Sequence, residues 1–250
     1  MKLITLNTLG GKLRDPLSRF IASHADTDIF CFQEVFHDLD ESTRTTDFIF
    51  DEGANEELFE DIGKMLPHHR GFFCPIHGVF YGLAMFVKKD IGVVETGEVL
   101  LYENAAYDPT GDDTDHGRKL QWAKVATGGR ETLVMNVHGH WSKDGKRDDA
   151  IRLEQSERIA AFLKQSGDFP KVLCGDFNLR PDTESVRAIE AAGMVNLITK
   201  HEVSSTRTGL YPKPERFADF IFLSHNVEEI GFRVLPDEVS DHSPLFVEFE

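Results

Sequence analysis

Two oxygen-bearing side chains lie at the end of a short apolar segment in the second half of the chain. Asp176 and Asn178 follow residues 171–174, whose apolar character predicts a buried strand. Because side chains alternate along a strand, residues two apart point to the same side. An acid that takes a proton, beside an amide that donates hydrogen bonds, suits the activation of water at a phosphate group. Taken alone, the pair is more typical of a strand that ends in a turn.

Polar side chains also interrupt other apolar segments at their ends. Asn7 and Glu34 end the first two predicted strands, and His138 and His140 end a third, with Asn136 on the same face. Singly, Asn and Glu at strand ends are more typical of turns. A single buried histidine is more typical of the protein core. Their recurrence at the ends of successive strands favours a shared site.

A buried carboxylate and a histidine extend this pattern. Asp219 lies within the apolar residues 217–222, where an unpaired charge would cost several kcal/mol. His242, which follows Asp241 just before the last predicted strand, is its natural partner. Asp219 lies near the start of its strand, whereas Asp176 lies at the end of its own. The polar side chains meet at one edge if the strand that begins near Asp219 and the strand after His242 run antiparallel to the four strands that end in polar residues. This arrangement predicts mixed sheets.

The elements that would position these residues alternate between strand and helix patterns. Strands are predicted at residues 2–7, 28–34, 81–88, 93–101, 120–126, 132–140, 171–174, 217–223, 227–234 and 244–249. Gly128 and Gly129 predict a hairpin between two of them. No linker, repeat or low-complexity segment interrupts the order, so we expect a single α/β domain over residues 1–250.

Helix patterns occupy segments between these strands. Asp15 and Asp182 are predicted as N-caps of two helices, and residues 148–165 form the longest helical pattern. Residues 38–61 carry ten acidic residues against one arginine, which is typical of a solvated insertion that runs into a helix capped at Asn55. The polar residues 103–117 predict a long loop.

Composition limits the classes of function. The chain of 250 residues has a formal charge of −16. This charge disfavours electrostatic binding of nucleic acid or an anionic membrane over a broad surface, but it allows a local basic patch. Three cysteines, two of them in apolar runs, favour a reducing compartment. Because neither a signal-peptide pattern nor an apolar run of membrane length is present, we expect a cytoplasmic protein without a transmembrane segment.

Six motifs, taken in order, resemble the endonuclease/exonuclease/phosphatase superfamily of deoxyribonuclease-like, metal-dependent phosphoesterases. They are Asn7, Gln33–Glu34, Asn136–His138, Gly175–Asn178, Asp219–Ile221 and Ser240–Pro244. One of these motifs alone would be weak, but the ordered set is specific and spans most of the chain. The resemblance implies an α/β four-layer sandwich, in which two packed mixed β-sheets are flanked by helices and the site lies at one sheet edge.

The resemblance also implies a metal ion and its ligands. A Mg²⁺ ion, with Mn²⁺ as an alternative, would be held chiefly by Glu34, with Asn7 and Asp241 near it. Such oxygen ligands suit these hard cations, and a cation offsets the negative charge by which a phosphate ester repels hydroxide. A zinc site that uses His138 and His140 with an acid is the alternative, although the ligand types argue against it.

Catalytic roles follow from the same resemblance. Asp176 would orient or deprotonate the attacking water, and Asn178 would hold the phosphate. His242, steadied by Asp219, would contact the phosphate or transfer a proton. His138 would stabilise the transition state or assist departure of the leaving group.

Three residues are candidates for substrate binding. Arg118 or Lys119, before the strand that precedes His138, could supply a phosphate-contacting base, as in some family members, although such a base in a loop is more typically solvated. Trp141 and Lys143 follow His138, and with Lys146 and Arg147 next along the chain they offer an aromatic surface and positive charge that suit nucleic acid. Interleaved acidic residues in the same segment are at least as typical of a solvated helix entry.

The sequence as a whole favours a Mg²⁺-dependent hydrolase of phosphate esters, with a phosphodiester as the first substrate class. Nucleic acid, phospholipid and small molecules all stay open as substrates because loops set specificity in such folds. A DNA endonuclease of the deoxyribonuclease or abasic-site type is the alternative enzyme, and a non-catalytic adaptor that keeps the fold is the third hypothesis. No obligate protein partner is evident.

Overall fold

The computed structural model describes residues 1–37, 53–104 and 116–250. The strands are β1 (Lys2–Asn7), β2 (Ile29–Phe36), β3 (His69–His77), β4 (Tyr81–Lys88), β5 (Gly92–Tyr102), β6 (Arg118–Thr127), β7 (Arg130–His138), β8 (Lys171–Asp176), β9 (Met194–Asn196), β10 (Asp219–Ser224), β11 (Glu229–Val234) and β12 (Leu245–Phe249). The helices are α1 (Arg14–Ser23), α2 (Leu58–Met65), α3 (Ala150–Gln165), α4 (Glu184–Ala191) and α5 (Leu197–Lys200). A 3₁₀ turn at Leu9–Gly11 follows β1.

The strands form two mixed sheets of six strands each. Their orders are β11-β12-β1-β2-β4-β3 and β5-β6-β7-β8-β10-β9. Helices α1 and α2 pack on the first sheet through buried residues such as Leu17 and Leu58. Helices α3 and α4 pack on the second sheet through residues such as Ile159 and Ile189. The two sheets share a continuous apolar core, so the four-layer sandwich predicted from the sequence is confirmed.

Strand directions bring the polar strand ends to one edge. β1 and β2 are parallel in the first sheet, and β7 and β8 are parallel in the second. β12 runs antiparallel to β1, and β10 runs antiparallel to β8. The predicted reversal of the strand that begins at Asp219 and of the strand after His242 is therefore confirmed. These central strands also face each other between the sheets, with β1 and β2 against β7 and β8.

The predicted strands agree with the observed ones to within two residues at each end, but three elements were not predicted. They are β3, β9 and α5. β3 contains Gly71 and Pro75, which weaken a strand pattern, and it lies at a sheet edge, where proline is tolerated. The hairpin at Gly128 and Gly129 is confirmed, with Thr127 paired to Arg130.

The predicted N-caps were wrong for two helices. The N-cap of α1 is Leu13 rather than Asp15. The N-cap of α4 is Thr183, whose side chain accepts a hydrogen bond from the backbone of the first turn. Asp182 instead pairs with Arg180, with an Nε–Oδ1 distance of 2.9 Å, so its carboxylate is already occupied.

Part of the acidic segment and most of the predicted loop at 103–117 lie outside the described residues. The helix expected after the acidic segment begins at Leu58, with Glu57 rather than Asn55 as its N-cap. Asn55 still contributes locally, since its Oδ1 accepts a hydrogen bond from the backbone nitrogen of Glu57 at 3.2 Å.

Within the described residues, no helix combines the length and the apolar character that crossing a bilayer requires. Cys31, Cys74 and Cys174 are buried free cysteines. Burial raises the pKa of the Cys31 thiol, so this residue stays protonated and packs as a small apolar group.

A buried amide pair joins the two sheets beneath the polar edge. Gln33 Nε2 donates to Asn136 Oδ1 at 2.7 Å. Asn136 Nδ2 in turn donates to the carbonyl oxygens of Phe32 at 3.0 Å and Ala84 at 3.3 Å. These contacts link β2 and β4 to β7 through groups that are shielded from water.

We expect Asn136→Ala to lower the free energy of unfolding by about 3 kcal/mol, because it leaves buried donors and acceptors without partners. Urea unfolding monitored by circular dichroism measures this change. Replacing the exposed Asn226, which lies outside the sheet core, provides the control. A loss below about 1 kcal/mol, the net value of one hydrogen bond, would mean that the amide pair does not join the sheets.

Candidate active site

Four of the predicted site residues meet at one edge of the two sheets. Asn7 Nδ2 donates to Glu34 Oε1 at 2.8 Å and to Asp176 Oδ2 at 3.0 Å. His138 Nε2 lies 3.9 Å from Glu34 Oε1 and 3.8 Å from Asp176 Oδ2. Side chains from β1, β2, β7 and β8 therefore share one neighbourhood, although they are separated by as many as 169 positions in the sequence.

An irregularity in β2 directs Glu34 into this edge. The pairing of β2 with β4 shifts between Phe32 and Val35, which marks a β-bulge. Glu34 has a φ of 56°, a left-handed conformation that is uncommon for a residue other than glycine. The hydroxyl of Thr8 donates to the Glu34 carbonyl at 2.9 Å and holds the bulge in place. Such strain costs about 1–3 kcal/mol and is concentrated at functional sites.

The motif at the end of β8 depends on a close approach to β7. Gly175 has a φ of 132°, and a Cβ there would lie 2.1 Å from the Val137 carbonyl oxygen. Only glycine fits this position, and Asp176 follows directly at the strand end. Asn178 has a φ of 55°, and its backbone nitrogen donates to Asp176 Oδ1 at 2.8 Å. The carboxylate is thereby fixed on one side, and its Oδ2 faces the site.

The side chain of Asn178 is also fixed by its neighbours. Its Nδ2 donates to the Gly139 carbonyl at 3.2 Å, and its Oδ1 accepts a hydrogen bond from Lys146 Nζ. An amide nitrogen carries two N–H groups, so one remains for another acceptor.

A histidine and an aspartate form a buried pair beside Asp176. His242 Nδ1 lies 2.8 Å and 3.0 Å from the two carboxylate oxygens of Asp219. His242 Nε2 lies 3.6 Å from Asp176 Oδ2. Burial alone would lower the pKa of His242, but the charges of Asp219 and Asp176 outweigh it and raise the pKa above its usual value. The ring therefore favours the charged imidazolium form and bridges the two carboxylates.

Positive groups around Asp176 keep it ionised. Burial disfavours the carboxylate, but the charges of His242, Lys146 and Arg207 together hold the pKa of Asp176 well below its usual range. An ionised acid at this point can accept a hydrogen bond from water, and so orient it, across the neutral pH range.

His138 differs from His242 in its charge. Burial, and then the charge of Arg118, lower the pKa of His138 to about 3. Its Nδ1 is buried without a hydrogen-bond partner among the described residues. The neutral ring can donate one N–H but carries no charge at neutral pH.

We expect His138→Gln to reduce turnover by about 10²-fold while leaving the shape of the pH–rate profile between about pH 5 and pH 8 unchanged, since a neutral donor replaces a neutral donor. Initial rates with a phosphate ester across this range measure both effects. If an acidic limb of the wild-type profile disappears in the variant, His138 is charged in the working enzyme and this assignment is wrong.

Several oxygen donors at this edge could hold a divalent cation, but they are arranged differently from the sequence-based expectation. Asn7 approaches Glu34 with its Nδ2, while its Oδ1 accepts from the Leu9 backbone at 3.0 Å. Asp241 is partly buried, and its Oδ2 accepts from Arg207 at 2.9 Å. In this arrangement Asn7 orients Glu34 through N–H groups, and the Oδ1 atom of Asp241 is the oxygen that faces His242.

The compact cluster of potential ligands in the described residues consists of Asp176, Asp219 and His242, whose ligand atoms lie within 4.8 Å of one another. The Nδ1 atom of His242 is already hydrogen-bonded to Asp219, so these two residues of the cluster also form a pair that can hold a proton. The zinc alternative gains no support. His140 lies beyond β7 with its ring 5.8 Å from that of Tyr102, and it is not part of the cluster.

The three candidates for substrate binding occupy different surroundings. Arg118 is buried at the start of β6, beside His116, and its charge acts on His138. Trp141 is partly buried, and Lys213 Nζ lies 5.1 Å above its ring. Lys143 is exposed, and no hydrogen bond or ion pair joins it to the other site residues that the structure describes. Arg118 therefore lies at the site, whereas Lys143 lies on its periphery at most.

Two cations at the site were not identified as site residues from the sequence. Lys146 was considered only as part of the positive charge after Trp141 that suits nucleic acid, and Arg207 was not singled out. Arg207 pairs with His242 through an isolated β-bridge and stacks on Tyr211, with 4.0 Å between the guanidinium carbon and the ring centroid. Only the placement of both next to Asp176 distinguishes them from surface bases.

Comparisons with known proteins agree with this geometry. The model of the Endonuclease/Exonuclease/phosphatase family matches residues 4–242. No curated protein matches the chain significantly. The three solved structures described next are at most 22% identical to this chain, so they are evidence for the fold alone.

Three solved structures illustrate the likeness. A mannosyl-6-phosphatase from Bacteroides thetaiotaomicron VPI-5482 has a TM-score of 0.74 and 22% identity, over 100% of this chain and 99% of that chain. A functionally unknown conserved protein from Enterococcus faecalis V583 has a TM-score of 0.72 and 20% identity, over 100% and 99%. D. rerio TDP2 complexed with a single-strand DNA product has a TM-score of 0.71 and 18% identity, over 100% and 98%.

Proposed function

We propose, since the chain belongs to the endonuclease/exonuclease/phosphatase family, that it is a divalent-metal-dependent hydrolase of phosphate esters, with phosphodiesters as its first substrate class. The single observation that carries this proposal is the convergence of Asp176 with acid, amide and imidazole groups from both sheets. Asn7 Nδ2 lies 3.0 Å from its Oδ2, and His242 Nε2 lies 3.6 Å from the same atom. An ionised acid, charged donors and carboxylates at one edge of the sheets suit attack of water on an anionic ester.

The donor set fits Mg²⁺ or Mn²⁺. Burial raises the pKa of Glu34, and the charges of Asp241 and Asp176 add to this effect, so an ionised Glu34 is unfavourable unless a cation lies beside it. Glu34 would be the principal ligand, with Asp241 and Asn7 next to it. When bound, the cation would neutralise negative charge on the phosphate and orient it for in-line attack.

Asp176 and Asn178 act on the water and the phosphate. Asp176 is fixed by the Asn178 backbone and is ionised, so it orients the water and accepts its proton. The second N–H of the Asn178 side-chain amide donates to a phosphate oxygen. Both groups are held before substrate arrives, so little ordering is needed during the reaction.

The two histidines have separate tasks in this proposal. His242, which Asp219 keeps oriented and whose charged form the neighbouring aspartates favour, donates to the phosphate and stabilises the charge that develops on it. His138 is neutral and donates a hydrogen bond on the side of Glu34 and Asp176, where it stabilises the transition state or the departing oxygen.

A nuclease is the second candidate. Trp141, three residues after His138, has Lys213 Nζ 5.1 Å above its ring, and an aromatic ring beside a positive charge suits stacking of a base next to a phosphate. If the substrate is duplex DNA held through several phosphates, binding weakens steeply as salt rises. A small diester, which neutralises few counterions, responds weakly to salt.

A panel of esters tests the proposal and separates the candidates. Bis-p-nitrophenyl phosphate, p-nitrophenyl phosphate, single-stranded and duplex DNA, and a phospholipid are assayed with Mg²⁺, with Mn²⁺ and with chelator. We expect metal-dependent turnover that chelator abolishes, with the diester faster than the monoester. Turnover of the monoester alone would move the proposal from diesterase to phosphatase. Absence of turnover on every ester with either metal would favour the non-catalytic adaptor.

The proposal also covers the setting of the enzyme. Residues 1–250 act as one domain, supported by the family match over residues 4–242. A cytoplasmic location is supported by three buried free cysteines. The proposed mechanism requires no protein partner, because every group that it uses comes from this chain.

A further inference from the structure

Lys146 is a buried lysine in the loop between β7 and α3. Lys146 is only 3% exposed, and its Nζ donates a hydrogen bond to Asn178 Oδ1. Its carbonyl oxygen accepts from the Arg180 backbone nitrogen at 3.0 Å. Both the backbone and the side chain of Lys146 are therefore tied to the segment that follows β8 and carries the Asp176 motif.

Helix α3 holds this loop from the other side. Arg152 is buried and donates from Nη2 to the Gly145 carbonyl at 2.8 Å and from Nη1 to the Arg147 carbonyl at 2.7 Å. Its Nε also donates to the His140 carbonyl at 3.3 Å. The residues on both sides of Lys146 are thus fixed by one guanidinium group, so the ammonium group is positioned in advance.

The ammonium group of Lys146 is incompletely paired. It has three N–H donors, and its hydrogen-bond partner in the described residues is one neutral amide oxygen. No ion pair joins it to a carboxylate of these residues. The charges of Asp176 and Asp219 attract it from beyond contact distance, and burial lowers the pKa of Lys146 to about 8. A buried cation with unpaired donors is unfavourable by itself, and an anion would complete its coordination.

The neighbouring cation differs from Lys146 because it is ion-paired, although its Nε is also buried without a hydrogen-bond partner among the described residues. Arg207 donates from Nη1 to Asp241 at 2.9 Å and stacks on Tyr211. Its role in holding Asp241 is therefore visible in the structure, whereas Lys146 has no carboxylate partner within ion-pair distance among the described residues. A structural role for Lys146 would need only one hydrogen bond to Asn178, which an uncharged side chain could make.

We propose that Lys146 binds a non-bridging oxygen of the substrate phosphoryl group, and that its contact with Asn178 turns the free N–H of that amide toward the same oxygen. This inference rests on the proposed function, since it assigns a new binding residue to the same site. A lysine is a compact point charge with several donors, which suits an oxygen that gains negative charge as water attacks. The contact forms with bound phosphate and strengthens in the transition state.

Three variants and a control test this assignment. Lys146→Met removes the charge and all donors, Lys146→Gln keeps a donor for Asn178 without the charge, and Lys146→Arg keeps the charge. Lys164→Met removes the exposed lysine in the last turn of α3 as the control. We measure kcat, KM, the half-activating Mg²⁺ concentration, thermal unfolding, and the inhibition constant of inorganic phosphate.

We expect Lys146→Met and Lys146→Gln to lower kcat/KM by about 10²-fold and to weaken inhibition by phosphate about tenfold, with the Mg²⁺ requirement unchanged. Lys146→Arg should recover part of both losses, and Lys164→Met should behave like the wild type. If Lys146→Gln lowers kcat but binds phosphate as tightly as the wild type, the residue acts only by positioning Asn178, and the inference is overturned. The glutamine variant keeps this test available if the methionine variant does not fold.

Direct phosphate binding separates this inference from the proposed function. Calorimetric titration of the Mg²⁺-loaded protein with inorganic phosphate requires no turnover. If the wild type hydrolyses no ester but binds phosphate at least tenfold more tightly than Lys146→Gln, the proposed function fails and the inference stands. If the wild type hydrolyses esters and both proteins bind phosphate equally, the function stands and the inference fails.

Discussion

Replacing Glu34 by glutamine is expected to lower metal-dependent hydrolysis by about 10³-fold, because a cation supplies several kcal/mol of transition-state stabilisation and glutamine is a poor ligand for it. The substitution keeps the size of the side chain and leaves an acceptor oxygen for Asn7 Nδ2, which lies 2.8 Å from Glu34 Oε1. Initial rates over a range of Mg²⁺ concentrations measure the effect. Excess Mg²⁺ should recover only part of the loss.

Thermal unfolding gives an independent reading of the same variant. Burial raises the pKa of Glu34, so its ionised form is unfavourable in the folded protein without a cation. Above the usual pKa of a glutamate, this group reduces stability, and glutamine should remove that penalty. We therefore expect metal-free Glu34→Gln to be at least as stable as the metal-free wild type, and Mg²⁺ to raise the Tm of the wild type alone.

A matched control accompanies this variant. Glu157 is exposed on α3, and Glu157→Gln removes the same charge away from the site. It should leave both the rate and the Mg²⁺-dependent Tm unchanged. Turnover of Glu34→Gln at the wild-type rate would remove Glu34 from the metal site. An equal rise of Tm with Mg²⁺ in Glu34→Gln and in the wild type would place the cation elsewhere.

The convergence of the strand ends could be predicted because its causes are local. Alternation in β7 and β8 places Asp176 and His138 at the ends of apolar runs, and the position of Asp219 at the start of its run requires a reversed strand. Both features appear in the sequence without knowledge of the fold. The pairing of Asp219 with Asp176 across antiparallel β8 and β10 follows directly.

The cations of the site could not be predicted, because tertiary contacts create their surroundings. Lys146 stands in a polar loop, where a lysine is normally solvated. It is buried because Arg152 binds the loop from α3 and the Arg180 backbone binds it from the segment after β8. Arg207 lies in a segment without regular periodicity and reaches Asp241 only through the fold.

Details of backbone geometry likewise could not be predicted from the sequence. The bulge that redirects Glu34 depends on the pairing of β2 with β4, and no residue type in this segment predicts it. Likewise, Asp182 and Thr183 both suit an N-cap, and the choice depends on whether Arg180 occupies the aspartate. Residue types limited these alternatives, and three-dimensional neighbours decided between them.

Replacing Asp176 by asparagine is expected to lower kcat by about 10³-fold, because an amide cannot accept the proton of the attacking water. The geometry should survive, since the Asn178 backbone donates to Asp176 Oδ1 at 2.8 Å and an amide oxygen can accept the same bond. The loss should appear in kcat more than in KM. Asp168→Asn, which changes an exposed acid after α3, should leave both constants unchanged.

The pH dependence of stability tests the charge assigned to Asp176. The charges of His242 and Lys146 outweigh burial and lower its pKa, so its ionised form stabilises the fold. That stabilisation is present above the usual pKa of an aspartate and is lost as the pH falls through the lowered value. Asp176→Asn should therefore be less stable than the wild type at neutral pH, and the difference should shrink toward strongly acidic pH. A difference that stays constant from neutral to strongly acidic pH would mean that Asp176 is not ionised in the folded protein, and the assignment of Asp176 as the proton acceptor would fail with it.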